Sequence, residues 1–391
     1  MIRIAHTGDW HLTSGPRFAD TLRCLRAVYE DGVTQKVQLW IVGGDLSGVS
    51  VPHVASVDER LALSAQLFQP MADHAPVLIL YGNHDAENDL AIYGRLAARH
   101  PIVVVPGPRI LELAAVRLFA IPFPLKRRYV APHQDLSIPE QNAAIARDIR
   151  ALLEAWRPEV EVARRDGIPT VCIGHGTIRG AAIAGGEVIP EGQEIEFSVE
   201  DLEMLGCDYT AFSHFHLCQQ LRAGIWYAGS PDRSNFGEVD EKGFLIVDIE
   251  PGQPPVVHRR LTPARRFLTV EATWSETEGW RLDMPVGAHD VANTEVRLRV
   301  TVPEEARDVS EAWIASYETQ LRDKLAAHAV VVERRIIPTT RVRSEAITTA
   351  RTTAEKLGAF WASLNSSGPS EMQRTRALER LGELETEGPD A

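Results

Sequence analysis

Five short apolar runs in this sequence are each followed by Asp, Asn or His. The polar residues are Asp9 and His11 after the first run, Asp45 after the second, Asn83, His84 and Asp85 after the third, His175 after the fourth, and His214 and His216 after the fifth. Carboxylate, imidazole and amide donors together suit a borderline divalent metal ion. Because open α/β sheets place their sites at the carboxyl ends of strands, we expect these side chains to face one crevice.

Each of these residues also has an ordinary structural explanation when it is taken alone. Asp45 could cap a turn or a helix, and Asn83 could close a turn through its side chain. A lone histidine at a strand end is more often structural than a ligand. The recurrence favours a metal site, because five of the 13 histidines directly follow apolar runs.

The elements that would position these residues alternate between strands and helices. The predicted strands are residues 2–5, 39–42, 77–80, 102–105, 116–121, 170–173, 209–212 and 243–248, and the predicted helices are residues 18–30, 58–68 and 139–156. This order predicts a layered α/β sandwich in which helices cover a sheet or a pair of sheets.

Composition and charge limit the class of protein. The chain has 391 residues, of which 44% are hydrophobic and 24% charged, as in an ordinary globular protein of two or three domains. It has no long apolar span, and Asp9 lies too early to follow a cleavable signal peptide, so we expect no membrane segment. Its four cysteines lie far apart, which is typical of a reducing compartment, and we expect a cytoplasmic protein.

The formal net charge of -13 argues against a general nucleic-acid-binding surface. Basic clusters are nevertheless present at residues 126–128, 164–165, 259–260 and 265–266. Metal ions held in a site also attract phosphate, whatever the average charge of the surface. The charge therefore leaves DNA open as a substrate.

The motifs D-x-H, G-D, G-N-H-D, G-H and H-x-H occur here in the order in which calcineurin-like metallophosphoesterases carry them. Within that superfamily the chain resembles the SbcD-type DNA repair nuclease subunits. Residues 227–238, Y-A-G-S-P-D-R-S-N-F-G-E, are similar to the G-S-P-E-R-x-x-F-G-E segment of those nucleases. The resemblance covers about residues 1–250 and implies an α/β/β/α sandwich with a small α+β capping domain and a C-terminal helical segment.

The resemblance implies two divalent metal ions. One would be held by Asp9, His11, Asp45 and His216, and the other by Asp45, Asn83, His175 and His214. Asp45 would bridge two ions about 3.5 to 4 Å apart. At this spacing the ions can stabilise both the attacking and the leaving oxygen of a phosphate ester. The donor types suit Mn²⁺, although zinc or iron would also be accepted.

The resemblance also implies roles for residues that are not metal ligands. His84 would bind the phosphate or protonate the leaving oxygen, with Asp85 as the catalytic partner that fixes its tautomer. Ser230 and Arg233, in the G-S-P segment, would contact the substrate.

The sequence departs from the nuclease pattern at two places. Asp45 is followed by Leu46, Ser47 and Gly48, without the histidine that contacts substrate phosphate in that family. His53 could reach the same space and bind substrate, or it could be an ordinary loop histidine. Ser213 replaces the glycine of the final motif, and a residue this small should be tolerated there.

The rest of the chain is predicted to divide into three parts after a nuclease domain at residues 1–250. Residues 251–266 are predicted to be a linker, residues 267–338 a capping domain that positions DNA, and residues 339–391 a helical partner-binding segment. The alternatives are an accessory stability domain for the second part and packing on the chain's own body for the third.

These observations predict a two-metal phosphodiesterase that cleaves DNA ends, hairpins or duplexes. By resemblance, its partners would be an SbcC-type coiled-coil ATPase and a second copy of the chain in a homodimer. One rival function is hydrolysis of nucleotides or other small phosphate esters. The other is a catalytically inactive scaffold that binds DNA ends, although the complete ligand set argues against inactivity.

Overall fold

The computed structural model describes residues 1–48, 53–86, 89–125, 135–184, 194–283, 291–337, 345–364 and 369–387. The basic cluster at residues 126–128 lies outside them. Within these residues no helix has the length and apolar character needed to cross a membrane.

The first sheet is built around β1, which carries the first apolar run of the sequence. Its strands, in spatial order, are β14 (Val256–Leu261), β13 (Gly243–Ile249), β1 (Ile2–Thr7), β2 (Leu39–Val42), β3 (Val77–Leu80) and β4 (Ile102–Val105). Strands β1 to β4 are parallel, and β13 pairs antiparallel with β1. The carboxyl ends of β1, β2 and β3 therefore lie side by side at one edge.

The second sheet supplies two further strand ends that carry predicted site residues. Its spatial order is β11 (Gln219–Arg222), β12 (Ile225–Tyr227), β10 (Tyr209–Ser213), β7 (Thr170–His175), β6 (Val116–Ile121) and β5 (Arg109–Leu113). Strands β6, β7 and β10 are parallel neighbours, and Ser213 lies opposite His175. A separate short pair is formed by β8 (Thr177–Ile178) and β9 (Glu196–Phe197).

The two sheets face each other across an apolar layer. This layer includes Ile41 and Leu80 from the first sheet and Ile173 and Ala211 from the second, all of them buried. The outer face of each sheet forms its own core with helices, so central strands such as β2 and β3 are apolar on both faces. The expected α/β/β/α sandwich is confirmed.

Helices cover the outer faces of both sheets. On the first sheet lie α1 (Phe18–Thr34) and a continuous helix made of α2 (Val57–Leu61), a wide turn (Ala62–Phe68) and α3 (Gln69–His74), with a 3₁₀ segment (Leu90–Arg95) near β4. On the second lie α4 (Ile138–Arg165) and α5 (Val199–Leu205). Ser56 and Ser137 begin α2 and α4 with capping boxes, which satisfy amide groups that the first turn leaves free.

Helix α4 continues beyond the predicted residue 156 and passes through Pro158 to Arg165. A proline inside a helix costs about 3 kcal/mol. Trp156 and Val160, on either side of it, are buried in the core of the second sheet. The burial of these two side chains outweighs the tendency of Pro158 to end the helix. The predicted helix therefore ended too early.

Residues 251–266 were predicted to form a linker, but this segment contains β14. Strand β14 pairs antiparallel with β13 along its whole length and forms one edge of the first sheet. Two successive charged residues, Arg259 and Arg260, interrupt the alternation of apolar and polar residues that would have indicated a strand. Charged side chains of this kind suit an exposed sheet edge.

A third sheet follows in the chain. Its order is β16 (Gly279–Asp283), β15 (Phe267–Ser275), β17 (Glu295–Pro303) and β18 (Ala329–Ile337), and a 3₁₀ turn (Glu304–Ala306), α6 (Arg307–Thr319) and a wide turn (Gln320–Lys324) lie between β17 and β18. The apolar patterns of the sequence predict strands at residues 267–272, 295–302 and 330–336 and a helix at residues 310–327, and these overlap β15, β17, β18 and the α6 region. Strand β16 had not been predicted.

The described chain divides into two compact units. The first is Met1–Val270, Met284–Leu298 and Glu318–Val332, and the second is Glu271–Asp283, Arg299–Tyr317 and Glu333–Ala391. In the second unit, Trp280 stacks on Trp313 with ring centroids 3.9 Å apart, and Trp313 stacks on Tyr317. The division of function into nuclease, capping and partner-binding parts stays a prediction.

The end of the second unit is helical in three described pieces, α7 (Glu345–Thr349), α8 (Thr353–Ser363) and α9 (Glu371–Glu387). Trp361 of α8 is buried, and the Arg374 guanidinium lies 6.0 Å from its ring centroid. Phe360 and Met372 are exposed. Helix α9 therefore has apolar side chains on its surface, Met372 and Leu378.

Candidate metal centre

Strand ends from both sheets supply the predicted site residues. Four of these residues have left-handed backbone conformations, with φ of 52° at Asp9, 44° at His11, 54° at Asp45 and 120° at His214. Such conformations are costly for residues other than glycine and are concentrated at functional sites. The fold thus stores backbone strain at the same residues that the motifs single out.

Hydrogen bonds between loops fix this strained backbone. The amide groups of Trp10 and His11 both donate to the Asp45 carbonyl, at 2.9 and 3.0 Å. A methyl group placed on Gly82 would lie only 2.6 Å from the Asp45 amide nitrogen. The glycine of G-N-H-D is therefore required by the close approach of two loops.

The donor atoms of the predicted ligands meet around Asp45. At this site, three groups have donor atoms that all lie within 4.8 Å of one another, namely Asp9, His11 and His216, then His11, Asp45 and His84, and then Asp45, His175 and His214. Asp45 Oδ2 lies 3.4 Å from His175 Nε2 and 3.8 Å from His11 Nε2. A carboxylate shared in this way has the position of a bridge between two sets of donors.

Asn83 lies on the side of Asp45 occupied by His175 and His214. Its Oδ1 is 3.1 Å from His175 Nε2 and 3.1 Å from His214 Nδ1. On the other side, both oxygens of Asp9 accept a hydrogen bond from the His214 amide at 3.0 Å. All seven predicted ligands are therefore brought together within one region of the first unit.

The hydrogen bonds behind the rings indicate that cations fit between these donors. The Nδ1–H of His11 has the Gly48 carbonyl as its acceptor at 2.6 Å, and that of His216 has the Glu238 carboxylate at 2.9 Å. With protons at those atoms, the Nε2 lone pairs of the two rings face each other at 3.1 Å. Two lone pairs so close repel unless a proton or a metal ion lies between them.

The same argument applies to His175. Its Nδ1–H donates to the Gly43 carbonyl at 2.7 Å, which leaves the Nε2 lone pair facing the Asn83 and Asp45 oxygens. Three acceptors around one point are the arrangement that a divalent ion with nitrogen and oxygen ligands requires.

Burial and neighbouring charge shift the pKa values in ways that agree with a cation site. Burial lowers the pKa of His11 to about 4, and the charge of His216 adds to this effect. Burial alone would also lower the pKa of His175, but the charge of Asp45 raises it to about 9. Burial opposes ionisation of Asp45, yet His175 and His11 hold its pKa well below the usual value. The field around Asp45 therefore favours positive charge.

His84 and Asp85 are both in the loop, but their relationship differs from the predicted one. His84 Nε2 lies 4.0 Å from Asp45 Oδ2, close enough for His84 to be counted among the possible ligands. The Asp85 carboxylate accepts hydrogen bonds from the backbone amides of Asp45, Leu46 and Gly82, at 2.8 to 3.0 Å. Asp85 was expected to fix the His84 tautomer, and the structure shows instead that it holds the G-D loop against the G-N-H-D loop.

Ser230 and Arg233, predicted to bind substrate, are buried and bonded to the backbone. Ser230 Oγ donates to the Asp232 carbonyl at 2.8 Å. Arg233 donates to the carbonyls of Glu238 and Arg265, at 2.9 Å each. These contacts stabilise the turn between β12 and β13, and any contact with substrate stays a prediction.

His53 is held by the loops around it, and its amide donates to the His84 carbonyl at 2.8 Å. Its ring lies against Gly48, and its Nε2 is 2.9 Å from the buried Glu59 carboxylate. The structure therefore supports the alternative of a structural loop histidine, and substrate binding by His53 stays a prediction.

Residues behind the ligands were missed from the sequence. Glu238 contacts His216, Glu194 lies 3.3 Å from His214 Nε2, and the buried Lys242 contacts Glu238. The last glutamate of the G-S-P segment was visible as part of a motif, but its position relative to His216 depends on the fold. Nothing in the local sequence around Glu194 or Lys242 indicated a role.

The site opens into a cavity of about 210 Å³. It is lined by His11, Asp45, His84, His214, His216 and Ser234. The cavity exposes the ligand atoms to a substrate, as a hydrolytic metal centre requires.

The sandwich and its shared carboxylate define a metallophosphoesterase. The chain matches the family model for calcineurin-like phosphoesterases over residues 2–218, more than half of its length, and so belongs to that family. Members of this family hydrolyse phosphate esters with divalent metal ions.

Comparison with individual proteins gives more distant likenesses. The chain is 23% identical over 292 residues to the SbcD component of the nuclease SbcCD of Staphylococcus epidermidis, a match covering 71% of this chain and 73% of that protein. A solved structure, a dimetal phosphatase from Danio rerio, matches with a TM-score of 0.39 and 11% identity over 66% of this chain and 96% of that one. A TM-score this low adds nothing to the assignment of the fold.

Proposed function

We propose that this protein is a two-metal phosphodiesterase that cleaves DNA, acting as an SbcD-type nuclease subunit. The observation that carries the proposal is the set of lone pairs that converge around Asp45. The relative from Staphylococcus epidermidis is named as a nuclease subunit and aligns over most of both chains. Because the identity is 23%, DNA is a proposed substrate, and cleavage assays must decide between DNA and small phosphate esters.

The chain's own residues would divide the work at this site. Asp9, His11 and His216 would hold one cation, Asn83, His175 and His214 the other, and Asp45 would bridge them. Two bound Mn²⁺ ions would supply Lewis-acid activation of the phosphate ester. His84 would hydrogen-bond the phosphate or donate a proton to the leaving oxygen, since its ring lines the same cavity.

Two of the basic clusters have an arginine that is paired with an acidic residue of the first unit. Arg260 pairs with Asp31, and the buried Arg265 pairs with Asp20 at 2.7 Å. Because these two charges are already paired, the metal ions would contribute to the attraction of DNA to the site. This point also keeps small phosphate esters as the second candidate substrate.

Cleavage assays with defined substrates test the proposal. Purified protein with Mn²⁺ would be given a DNA hairpin, a linear duplex and nitrophenyl phosphate, each compared with an Asp45→Asn variant. We expect the DNA substrates to be cut and the variant to lose both cleavage and one or both Mn²⁺ ions. Asp31→Asn, which alters an acidic residue paired with Arg260, is the matched control and should remain active.

Two results would decide against DNA as the substrate. Hydrolysis of nitrophenyl phosphate without DNA cleavage would favour a small-molecule phosphoesterase. Failure to cut any DNA, with metal loaded and the partner ATPase present, would favour an inactive scaffold that binds DNA ends.

A coiled-coil ATPase of the SbcC type is the partner proposed for the C-terminal helices. Met372 and Leu378 of α9 are exposed there, and apolar side chains on a helix surface suit a partner helix. Deleting residues 343–391 should abolish binding to the ATPase and leave Mn²⁺ binding intact. Unchanged ATPase binding would remove this role.

A homodimer is proposed through helix α2 of the first unit. Val57 and Leu61 are four residues apart, on one face of the helix, and both are more than half exposed. Exposed apolar side chains at this spacing suit a symmetric helical interface. Leu61→Glu should convert a dimer to a monomer in light scattering, and a monomeric wild-type protein would contradict the proposal.

A further inference from the structure

Glu238 lies directly behind His216, on the side away from the cavity. Its Oε1 accepts a hydrogen bond from His216 Nδ1 at 2.9 Å, and its Oε2 is 2.6 Å from Lys242 Nζ. Glu238 and Lys242 are 1% and 2% exposed. The acceptor of the His216 ring nitrogen is thus a buried carboxylate, which is itself paired with Lys242, and Lys242 also lies 3.2 Å from Asp240.

This arrangement decides which nitrogen of His216 is free. An acceptor at Nδ1 keeps the proton there, so the lone pair stays on Nε2, which lies 3.1 Å from His11 Nε2. Without the acceptor, the proton could move to Nε2 or the ring could turn. Either change would remove one ligand atom from the group that Asp9, His11 and His216 form.

The G-S-P segment holds both His216 and Glu238 in place. The Ser230 amide and Lys242 Nζ each donate to the His216 carbonyl at 3.1 Å. Arg233 donates to the Glu238 carbonyl, and Asn235 Nδ2 donates to Glu238 Oε1 at 3.1 Å. The backbone and the ring of one histidine are therefore fixed by a single stretch of chain.

We infer that Glu238 is a positioning residue that fixes the tautomer and orientation of His216, and that residues 230–242 form its support. This inference rests on the metal centre of the proposed function and assigns the G-S-P segment a role in metal binding. Its readout is metal affinity, so a failure of the DNA proposal and a failure of this inference appear in different measurements.

His214 provides an internal comparison. Its Nε2 lies 3.3 Å from Glu194 Oε2, and that glutamate side chain is 35% exposed. A longer contact to a carboxylate open to water orients a ring less strongly than a buried one. The two histidines of H-x-H thus differ in how firmly they are held, and Glu238 should be the more important partner.

Two matched double variants test the inference with Mn²⁺ alone. Glu238→Leu/Lys242→Met removes the ion pair and the acceptor, whereas Glu238→Gln/Lys242→Met removes the ion pair and keeps an amide oxygen for Nδ1–H. Neither leaves Lys242 as a buried unpaired charge. Calorimetric titration should show one of two Mn²⁺ sites weakened about 10- to 100-fold in the leucine variant. The glutamine variant should recover most of that loss.

The leucine and glutamine variants also separate positioning from folding. Both should remain folded without metal, as circular dichroism can show, and the glutamine variant shares the loss of the ion pair with the leucine variant. Wild-type Mn²⁺ affinity in the leucine variant, or equal weakening in both variants, would overturn the inference.

A measurement on the unaltered protein avoids any folding defect of the variants. In the Zn²⁺-loaded wild type, which is diamagnetic, nuclear magnetic resonance should show a slowly exchanging Nδ1–H proton on His216. A proton on Nε2 of that ring would overturn the inference.

Discussion

Asp45 uses its two carboxylate oxygens for different purposes. Oδ1 accepts the His84 amide at 2.9 Å and so fixes the G-N-H-D loop, while Oδ2 faces the rings of His11, His84 and His175. A bridging ligand must keep its position when a substrate pulls on the metal ions. The hydrogen bond at Oδ1 provides that rigidity and leaves Oδ2 for the cations.

His84 is the residue at which the sequence and the geometry leave two roles open, a metal ligand and a proton donor. We predict that His84→Gln lowers the rate of phosphodiester cleavage about 10²- to 10⁴-fold, the usual loss for a general acid. Mn²⁺ binding should remain at the wild-type stoichiometry, as calorimetry can show. The exposed His258, changed to Gln, is the matched control and should keep full activity. Loss of a Mn²⁺ ion in His84→Gln would make His84 a ligand.

Strand ends explain why so much of the site could be predicted from the sequence. An apolar run followed by a polar residue fixes both the strand and its end, and parallel neighbours place Asp9 and Asp45 at the same edge. The partners behind the ligands could not be predicted in this way. Glu238 lies 22 positions from His216 in the chain, and only the pairing of β13 with β1 brings its segment back.

The end of β10 shows how two elements accommodate a departure from the family motif. Ser213 is fully buried at the position of the motif glycine, and among the described residues its hydroxyl oxygen has no hydrogen-bond partner. A methyl group on Gly43 would lie 2.6 Å from Ser213 Cβ, and one on Gly8 would lie 2.9 Å from the same atom. Ser213 therefore fits because Gly8 and Gly43, in the loops after β1 and β2, have no side chains.

This contact predicts a strong coupling between Gly43 and Ser213. Gly43→Ala should lower the free energy of unfolding by about 1 to 3 kcal/mol, because the methyl group overpacks the junction of the two sheets. In a Ser213→Gly background the same change should cost less, with a coupling energy of about 0.5 to 3 kcal/mol. Urea unfolding of the four proteins measures the cycle.

A glycine in open space serves as the control for this cycle. A methyl group on Gly358 of α8 would meet no atom within 4 Å. Gly358→Ala should therefore stabilise the helix by about 0.5 to 1 kcal/mol and show no coupling to Ser213. Additive effects of Gly43→Ala and Ser213→Gly would contradict the predicted contact.

Negative charge is carried both by the molecule as a whole and by the buried carboxylates of its metal centre. The chain carries a formal net charge of -13, and buried Asp9 and Asp45 add negative charge inside the first unit. Elsewhere, the buried carboxylates of Asp20 and Asp232 have arginine partners, Arg265 and Arg17. Asp45 of the metal centre has histidines around it instead, and the raised pKa of His175 indicates that its negative charge favours a cation there.

The stability of the folded chain should therefore depend on divalent metal. A ligand that binds only the folded state at 100 times its dissociation constant stabilises that state by about 2.7 kcal/mol. We predict that Mn²⁺ shifts the urea unfolding transition of the first unit to higher concentration and that a chelator reverses the shift. Asp45→Asn should show a smaller shift, because the variant lacks the bridging charge, while Asp31→Asn should respond as the wild type does. An unfolding curve that is the same with Mn²⁺ and with chelator would mean that the converging lone pairs around Asp45 hold no metal ion.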